Sequence, residues 1–189
     1  MPKLPWHGLR SKRTAAVLLV VLIGLGLRVH TAWVVHRDQP NAPSRLAADE
    51  PGYDNLARGL LAGEGLTWPG RVPVYPAWLA ALYWFTGGSY NEVLYVQAVV
   101  GTLAILLTYL LGRRLFGHGP GLLAALGAAV HFVLIQQSVR YLSEILFTPA
   151  VLLVVLALKR AIDRPSIGRF AVAGLTIGVA NLIRPTLFL

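Results

Sequence analysis

Four stretches of this chain are apolar over the length that crosses a bilayer, and this constrains its fold more than anything else in the sequence. Residues 14–36, 92–112, 121–139 and 143–158 approach or exceed the roughly 20 mostly apolar residues a spanning helix needs. A fifth window, 168–189, runs to the last residue. Hydrocarbon offers no water to a backbone N–H or C=O, so each run must satisfy its own hydrogen bonds as a helix. Composition agrees: 56% of the 189 residues are hydrophobic and 13% charged, where a soluble domain carries about a quarter charged. The fold class expected is all-α and polytopic, one membrane domain over residues 1–189 with about five transmembrane helices. The absence of cysteine excludes a disulfide framework, a Cys-ligated metal site and a thiol nucleophile.

The 17 Lys and Arg residues, against 8 Asp and Glu, serve better as topology signals than as a nucleic-acid surface, because they flank the apolar runs and form no basic–aromatic groove. No nucleic-acid partner is expected. Lys3, Arg10, Lys12 and Arg13 precede the first run, and no small-x-small cleavage site follows it, so it reads as a retained anchor with a cytoplasmic N-terminus. Residues 72–87 are apolar but short and carry Pro73 and Pro76. If they do not span, Arg113, Arg114, Lys159, Arg160, Arg164 and Arg169 join the N-terminal cations inside, as the positive-inside rule requires. Asp38, Asp49, Glu50, Asp54, Glu64, Glu92 and Glu144 then face outward. If they span, the basic loops fall outside. The non-spanning reading is therefore adopted.

The result is a long first outer loop, residues 37–91, and a short second outer turn, residues 140–144. Long loops in compact proteins are usually functional. Tyr53, Leu56, Ala57, Leu60 and Leu61 recur at helical spacing with Asp54, Asn55 and Arg58 between them, which predicts an amphipathic surface helix. Gly63 and Gly65 supply its stop. Trp68, Tyr75, Trp78, Tyr83, Trp84, Tyr90 and Tyr95 crowd the same region, as aromatics do at headgroup depth. Gly174-x-x-x-Gly178 reads as a helix-packing notch.

No phosphate loop, nucleophile elbow, H-E-x-x-H or dinucleotide fingerprint occurs. The outward acids remain. Asp49 and Glu50, at a helix start, suit either a capping role or that of a general base or cation ligand at the water–lipid boundary. Glu144 lies far away in sequence but at the same face and depth, so a shared pocket with them is expected, with Asp49, Glu50 and Glu144 as candidate ligands of a divalent cation, Mg or Mn. Arg28 and Arg184 sit in the outer halves of the first and fifth windows. They either snorkel or turn inward to hold an anionic group such as a lipid phosphate. His30, His36 and His131 have no metal-ligand spacing.

The ordered set Arg28, Asp49-Glu50-Pro51-Gly52-Tyr53, Leu56 to Gly65, Arg71-x-Pro73-Val74-Tyr75-Pro76, Gly112 to Gly117, Ser143-Glu144 and Leu182-Ile183-Arg184-Pro185 resembles the polytopic GT-C glycosyltransferases. The likeness is to the group of dolichyl-phosphate-mannose protein mannosyltransferases and aminoarabinose lipid A transferases, and it runs from about Arg28 to Pro185. It implies a GT-C-like N-terminal module that transfers a sugar, with inversion, from a polyprenyl-phosphate carrier to a protein, lipid or glycan acceptor. The reaction would lie at the outer face of a bacterial inner membrane. By the same resemblance Asp49 is the catalytic acid/base, Glu50 its neighbour and Glu144 the second-loop acid. Arg28, Arg71, Arg140 and Arg184 are the set expected for the carrier phosphate. Family members are much longer, which makes a fragment or truncated relative with an incomplete acceptor site the expectation. The competing reading is a non-catalytic membrane module that binds lipid or sugar-lipid, or a transporter subunit. Inverted repeats and paired broken helices, which would favour transport, are not apparent.

Overall fold

The computed structural model of the protein describes residues 6–38, 46–65 and 71–186. Lys3, Trp68 and the end of the fifth apolar window lie outside them. The described residues are helical, with no strand among them. The chain runs through α1 (Trp6–Asp38), α2 (Glu50–Leu61), α3 (Val74–Thr86), α4 (Tyr90–Phe116), α5 (His118–Val130), α6 (Phe132–Gln136), a 3₁₀ turn (Gln137–Val139), α7 (Glu144–Asp163) and α8 (Ile167–Ile183). Residues 12–38 of α1, all of α4 and all of α7 are long and apolar enough to cross a membrane. The protein is an all-helical polytopic membrane protein.

Two of the apolar windows differ from the sequence reading. Residues 121–139 do not form one straight helix: α5 stops at Val130, and the chain resumes as α6 and the 3₁₀ turn after a 56° bend. His131, at the break, is extended (φ −67°, ψ 116°). The last window yields an α8 of 17 residues, about 26 Å at 1.5 Å per residue and so shorter than a bilayer core of about 30 Å. It ends before Arg184, which is extended at φ −156° and ψ 121° because Pro185 disfavours the helical region for the residue before it. Arg184 therefore lies just beyond a helix rather than in its outer half.

The ambiguous 72–87 stretch becomes α3, a helix of 13 residues, roughly 20 Å long and too short to span. It packs on α2, which ends at a left-handed Gly63 (φ +80°), the stop expected from the sequence. Buried residues form two clusters. One joins α2, α3 and α4 to the 139–145 segment through Ala57, Tyr75, Leu79, Tyr83, Val93, Leu94, Tyr141 and Ile145. The other binds α1, α4 and α5 through Val20, Ile105, Tyr109, Ala125 and Ala129. At the Arg113-Arg114 end, α4 and α5 touch backbone to backbone: a Cβ on Gly112 would lie 2.8 Å from Gly121 Cα, and one on Gly121 would lie 2.5 Å from Arg113 N. The Gly174-x-x-x-Gly178 notch has no such partner, since no atom of the described chain would touch a Cβ at either position.

Candidate active site

Asp49 and Glu50 are adjacent, yet the start of α2 sends them to different environments. The Glu50 N–H donates to Ala47 O at 3.1 Å, closing a turn through Ala48, whose φ of +53° is left-handed without a glycine. Pro51 follows in the first helical turn, where its missing N–H costs nothing. The Glu50 carboxylate is 4% exposed; Oε2 accepts from Ala47 N at 3.0 Å, Oε1 accepts from Tyr141 N at 2.8 Å, and Arg140 Nε is an ion-pair partner at 3.1 Å. Glu50 thus ties α2 to the second inter-helix turn. Asp49 keeps a side chain 71% exposed and accepts from Arg71 Nη2 at 3.0 Å. Its carboxylate makes no capping bond to α2, so the capping alternative does not describe it.

Arg71 is held in place from two further sides. Its guanidinium lies 4.2 Å over the Tyr53 ring, and a Cβ on Gly52 would come within 2.9 Å of Nη2, so the glycine gives the guanidinium its space. Across the gap, Glu144 at the first turn of α7 pairs with Arg184 beyond α8. Ser143 accepts a hydrogen bond from the Tyr53 hydroxyl at 3.3 Å and does not cap α7. Asp49, Tyr53, Arg71, Leu142, Glu144 and Arg184 line a single cleft of about 400 Å³. Of the three acids expected to share a pocket, Asp49 and Glu144 line this cleft and Glu50 does not, and two of the four expected arginines, Arg71 and Arg184, line it with them.

Arg140 and Arg28 are not brought to this cleft. Arg140 serves Glu50. Arg28 is 1% exposed, so it does not snorkel; its Nη1 donates to Gly24 O at 3.0 Å and Ala129 O at 3.2 Å, and Nη2 donates to Ala128 O at 3.3 Å. The expected acidic triad does not converge either. Asp49, Glu50 and Glu144 each face a different arginine, both Glu50 oxygens accept backbone N–H groups, and among the described residues no three His, Cys, Asp or Glu side chains come together as a metal site would require. Among the described residues this donor set does not fit the divalent cation considered from sequence.

Sequence reasoning missed Asp54. Placed on the polar side of α2 by the apolar spacing, it is 5% exposed instead. It accepts from Arg58 Nε at 3.1 and 3.2 Å, from Tyr83 OH at 2.5 Å and from Tyr90 OH at 2.9 Å, while the Arg58 guanidinium lies over both tyrosine rings. Burial, then the neighbouring Tyr141 and the hydrogen bond to Asp54, push the Tyr83 phenol far above its ordinary range. Tyr75, fully buried, is pushed up mainly by desolvation. The signal that could have found Asp54 is its spacing: Glu50, Asp54 and Ala57 fall at i, i+4 and i+7 on one stripe, and that stripe is buried.

The sequence model described as dolichyl-phosphate-mannose-protein mannosyltransferase matches residues 71–189, well over half the chain. The chain belongs to that family. It is therefore a membrane glycosyltransferase of the polyprenyl-phosphate-sugar class, as the ordered motifs implied. The matched segment contains Arg71, Glu144 and Arg184, while Asp49 lies on its N-terminal side. No curated protein and no solved structure matches the chain.

Proposed function

We propose that the cleft transfers a sugar, with inversion at its anomeric carbon, from a polyprenyl-phosphate carrier to an acceptor hydroxyl at the outer face of a membrane, a bacterial inner membrane by the motif resemblance. The acceptor is a protein, lipid or glycan. The observation that carries this reading is the pairing of two carboxylates with two arginines, Asp49 with Arg71 and Glu144 with Arg184, around one cleft of about 400 Å³. A pocket of that volume is within the range of small-ligand sites. Guanidinium groups bind carboxylate and phosphate oxygens by the same planar fork. An arriving phosphodiester competes for Arg71 and Arg184, and the carboxylates they leave become free to act as bases.

Asp49, the more exposed acid, then takes the proton of the acceptor hydroxyl as its oxygen attacks the anomeric carbon. The bond from that carbon to the phosphate oxygen breaks with its electron pair going to the phosphate, and the arginines hold the charge that builds there. Glu144 orients Arg184 and completes the acidic wall. Because the apolar carrier lies in lipid, a site at the end of membrane helices gives it access without leaving the bilayer.

Asp49→Asn tests the assignment. The amide keeps the size and still accepts from Arg71, but it cannot take a proton, and loss of a general base typically costs about a hundred- to ten-thousand-fold in rate. The measurement is sugar transfer from a polyprenyl-phosphate donor by protein in lipid nanodiscs. Full activity in a folded Asp49→Asn protein would remove Asp49 from the chemistry.

A further inference from the structure

The 56° break between α5 and α6 coincides with a buried guanidinium from another helix. Sharp bends in helices trace to proline, to small-residue pairs, to π-bulges or to a side chain inserted into the hydrogen-bond ladder. No proline lies within residues 121–139. What does lie there is the Arg28 guanidinium. The last four carbonyls of a helix, here those of residues 127–130, have no intrahelical donor, and inside a bilayer no water replaces it. Arg28 donates to two of them, Ala128 O and Ala129 O, from a neighbouring helix. A cation at this position also meets the negative end of the α5 dipole. Gly101 of α4 leaves room for the group: a Cβ there would lie 3.3 Å from Arg28 Nε and 3.0 Å from Ser138 Oγ.

The bend decides where the following segment goes. Ser138 is fully buried and its carbonyl accepts from Gln97 Nε2 at 3.4 Å; Tyr141 donates its N–H to Glu50 and its hydroxyl to Tyr90 O at 2.6 Å; Glu144 reaches the cleft. We infer that Arg28 is a positioning residue: it holds the membrane-buried bend of α5–α6 open by capping Ala128 and Ala129, and through that bend it sets the 138–144 segment that carries Glu144 to the cleft and anchors Glu50. Its effect on transfer rests on the function proposed above. Its effect on the bend does not.

The experiment uses the full chain in lipid nanodiscs. The absence of native cysteine lets spin labels be placed at Gly119→Cys and Gln136→Cys, on either side of the break, and their separation read by pulsed electron paramagnetic resonance. A straight helix would separate these backbone positions by about 25 Å, and a 56° bend at His131 shortens that by about 2.5 Å. Arg28→Leu lets the ladder close and lengthens the distance by about 2.5 Å, with at least a tenfold loss of transfer. Arg28→Lys keeps a cation without the fork and gives a distribution spread between the two values, with partial transfer. If Arg28→Leu does not fold, Arg28→Lys decides the matter alone. A wild-type distribution in every folded variant overturns the inference, and so does a lengthened distance with undiminished transfer. An active Asp49→Asn protein would refute the proposed base and leave the bend measurement standing, so the two failures are distinct.

Discussion

Asp49 and Glu50 are neighbours with the same charge, and the structure gives them opposite sensitivities. Consider Glu50→Gln. The buried carboxylate accepts two backbone N–H groups, from Ala47 and Tyr141, one on each oxygen. Glutamine keeps one acceptor oxygen and turns an NH₂ towards the other N–H, so one buried donor is left unpaired, at a cost of about 1–3 kcal/mol. The ion pair to Arg140 is lost as well, but the Arg140 side chain is 42% exposed, and solvent screening limits that contribution to about 0–1 kcal/mol. Together the loss is about 1–4 kcal/mol. In Asp49→Asn the side chain is 71% exposed and its oxygen still accepts from Arg71, so stability changes by no more than about 0.5 kcal/mol. The assay is reversible unfolding in mixed micelles titrated with SDS and followed by tryptophan fluorescence. Equal midpoints for the two variants would refute the claim that Glu50 ties α2 to the 140–144 turn. A large loss in Asp49→Asn would contradict the exposed placement of that acid.

Three further outcomes are expected. Asp54→Asn replaces an acceptor of two tyrosine hydroxyls and Arg58 with a group that must present a donor to one of them, and should lower stability by about 3 kcal/mol in the same titration; a change below about 1 kcal/mol would mean that the network is not formed. The Tyr83 phenol is raised above its ordinary value near 10, so the folded protein keeps a proton that the unfolded chain loses. Its stabilising contribution is complete below about pH 10 and declines as pH rises further, and Tyr83→Phe should make that alkaline decline shallower in thermal melts. For topology, a cysteine at the exposed Glu64 should react with an impermeant thiol reagent applied to intact cells, and one at Arg114 should not; the reverse pattern would place the cleft on the cytoplasmic side.

The parts of the fold legible in the sequence are those set by solvent. Apolar length marked α1, α4 and α7, and the distribution of Arg and Lys led to a non-spanning 72–87 stretch that is a helix of 13 residues. Keeping that stretch out of the membrane also put Asp49 and Glu144 on one face, and both line the cleft. What hydropathy could not carry are features set by partners distant in sequence. The end of α5 at Val130 depends on a guanidinium about a hundred residues earlier. Glu50 and Arg140, expected at the site, form an ion pair with each other, and Glu50 accepts from two backbone N–H groups, where the 139–145 segment packs against α2. Asp54 falls on the polar side of α2 by the apolar spacing, and its burial is made tolerable by Arg58 together with the tyrosine hydroxyls of α3 and α4.

The glycine contact between α4 and α5 bears on how the protein is made. Gly112 and Gly121 bring the two backbones together at the Arg113-Arg114 turn, leaving no room for a side chain on either strand of the hairpin. A span broken at His131, taken by itself, is a poor candidate for release into lipid, because its freed carbonyls need donors from elsewhere. Joined to the unbroken α4 at this turn, it forms half of a helical hairpin, and α1, which precedes both in the chain, carries the arginine that meets the break. The order of the helices along the chain is thus also a workable order of biosynthesis.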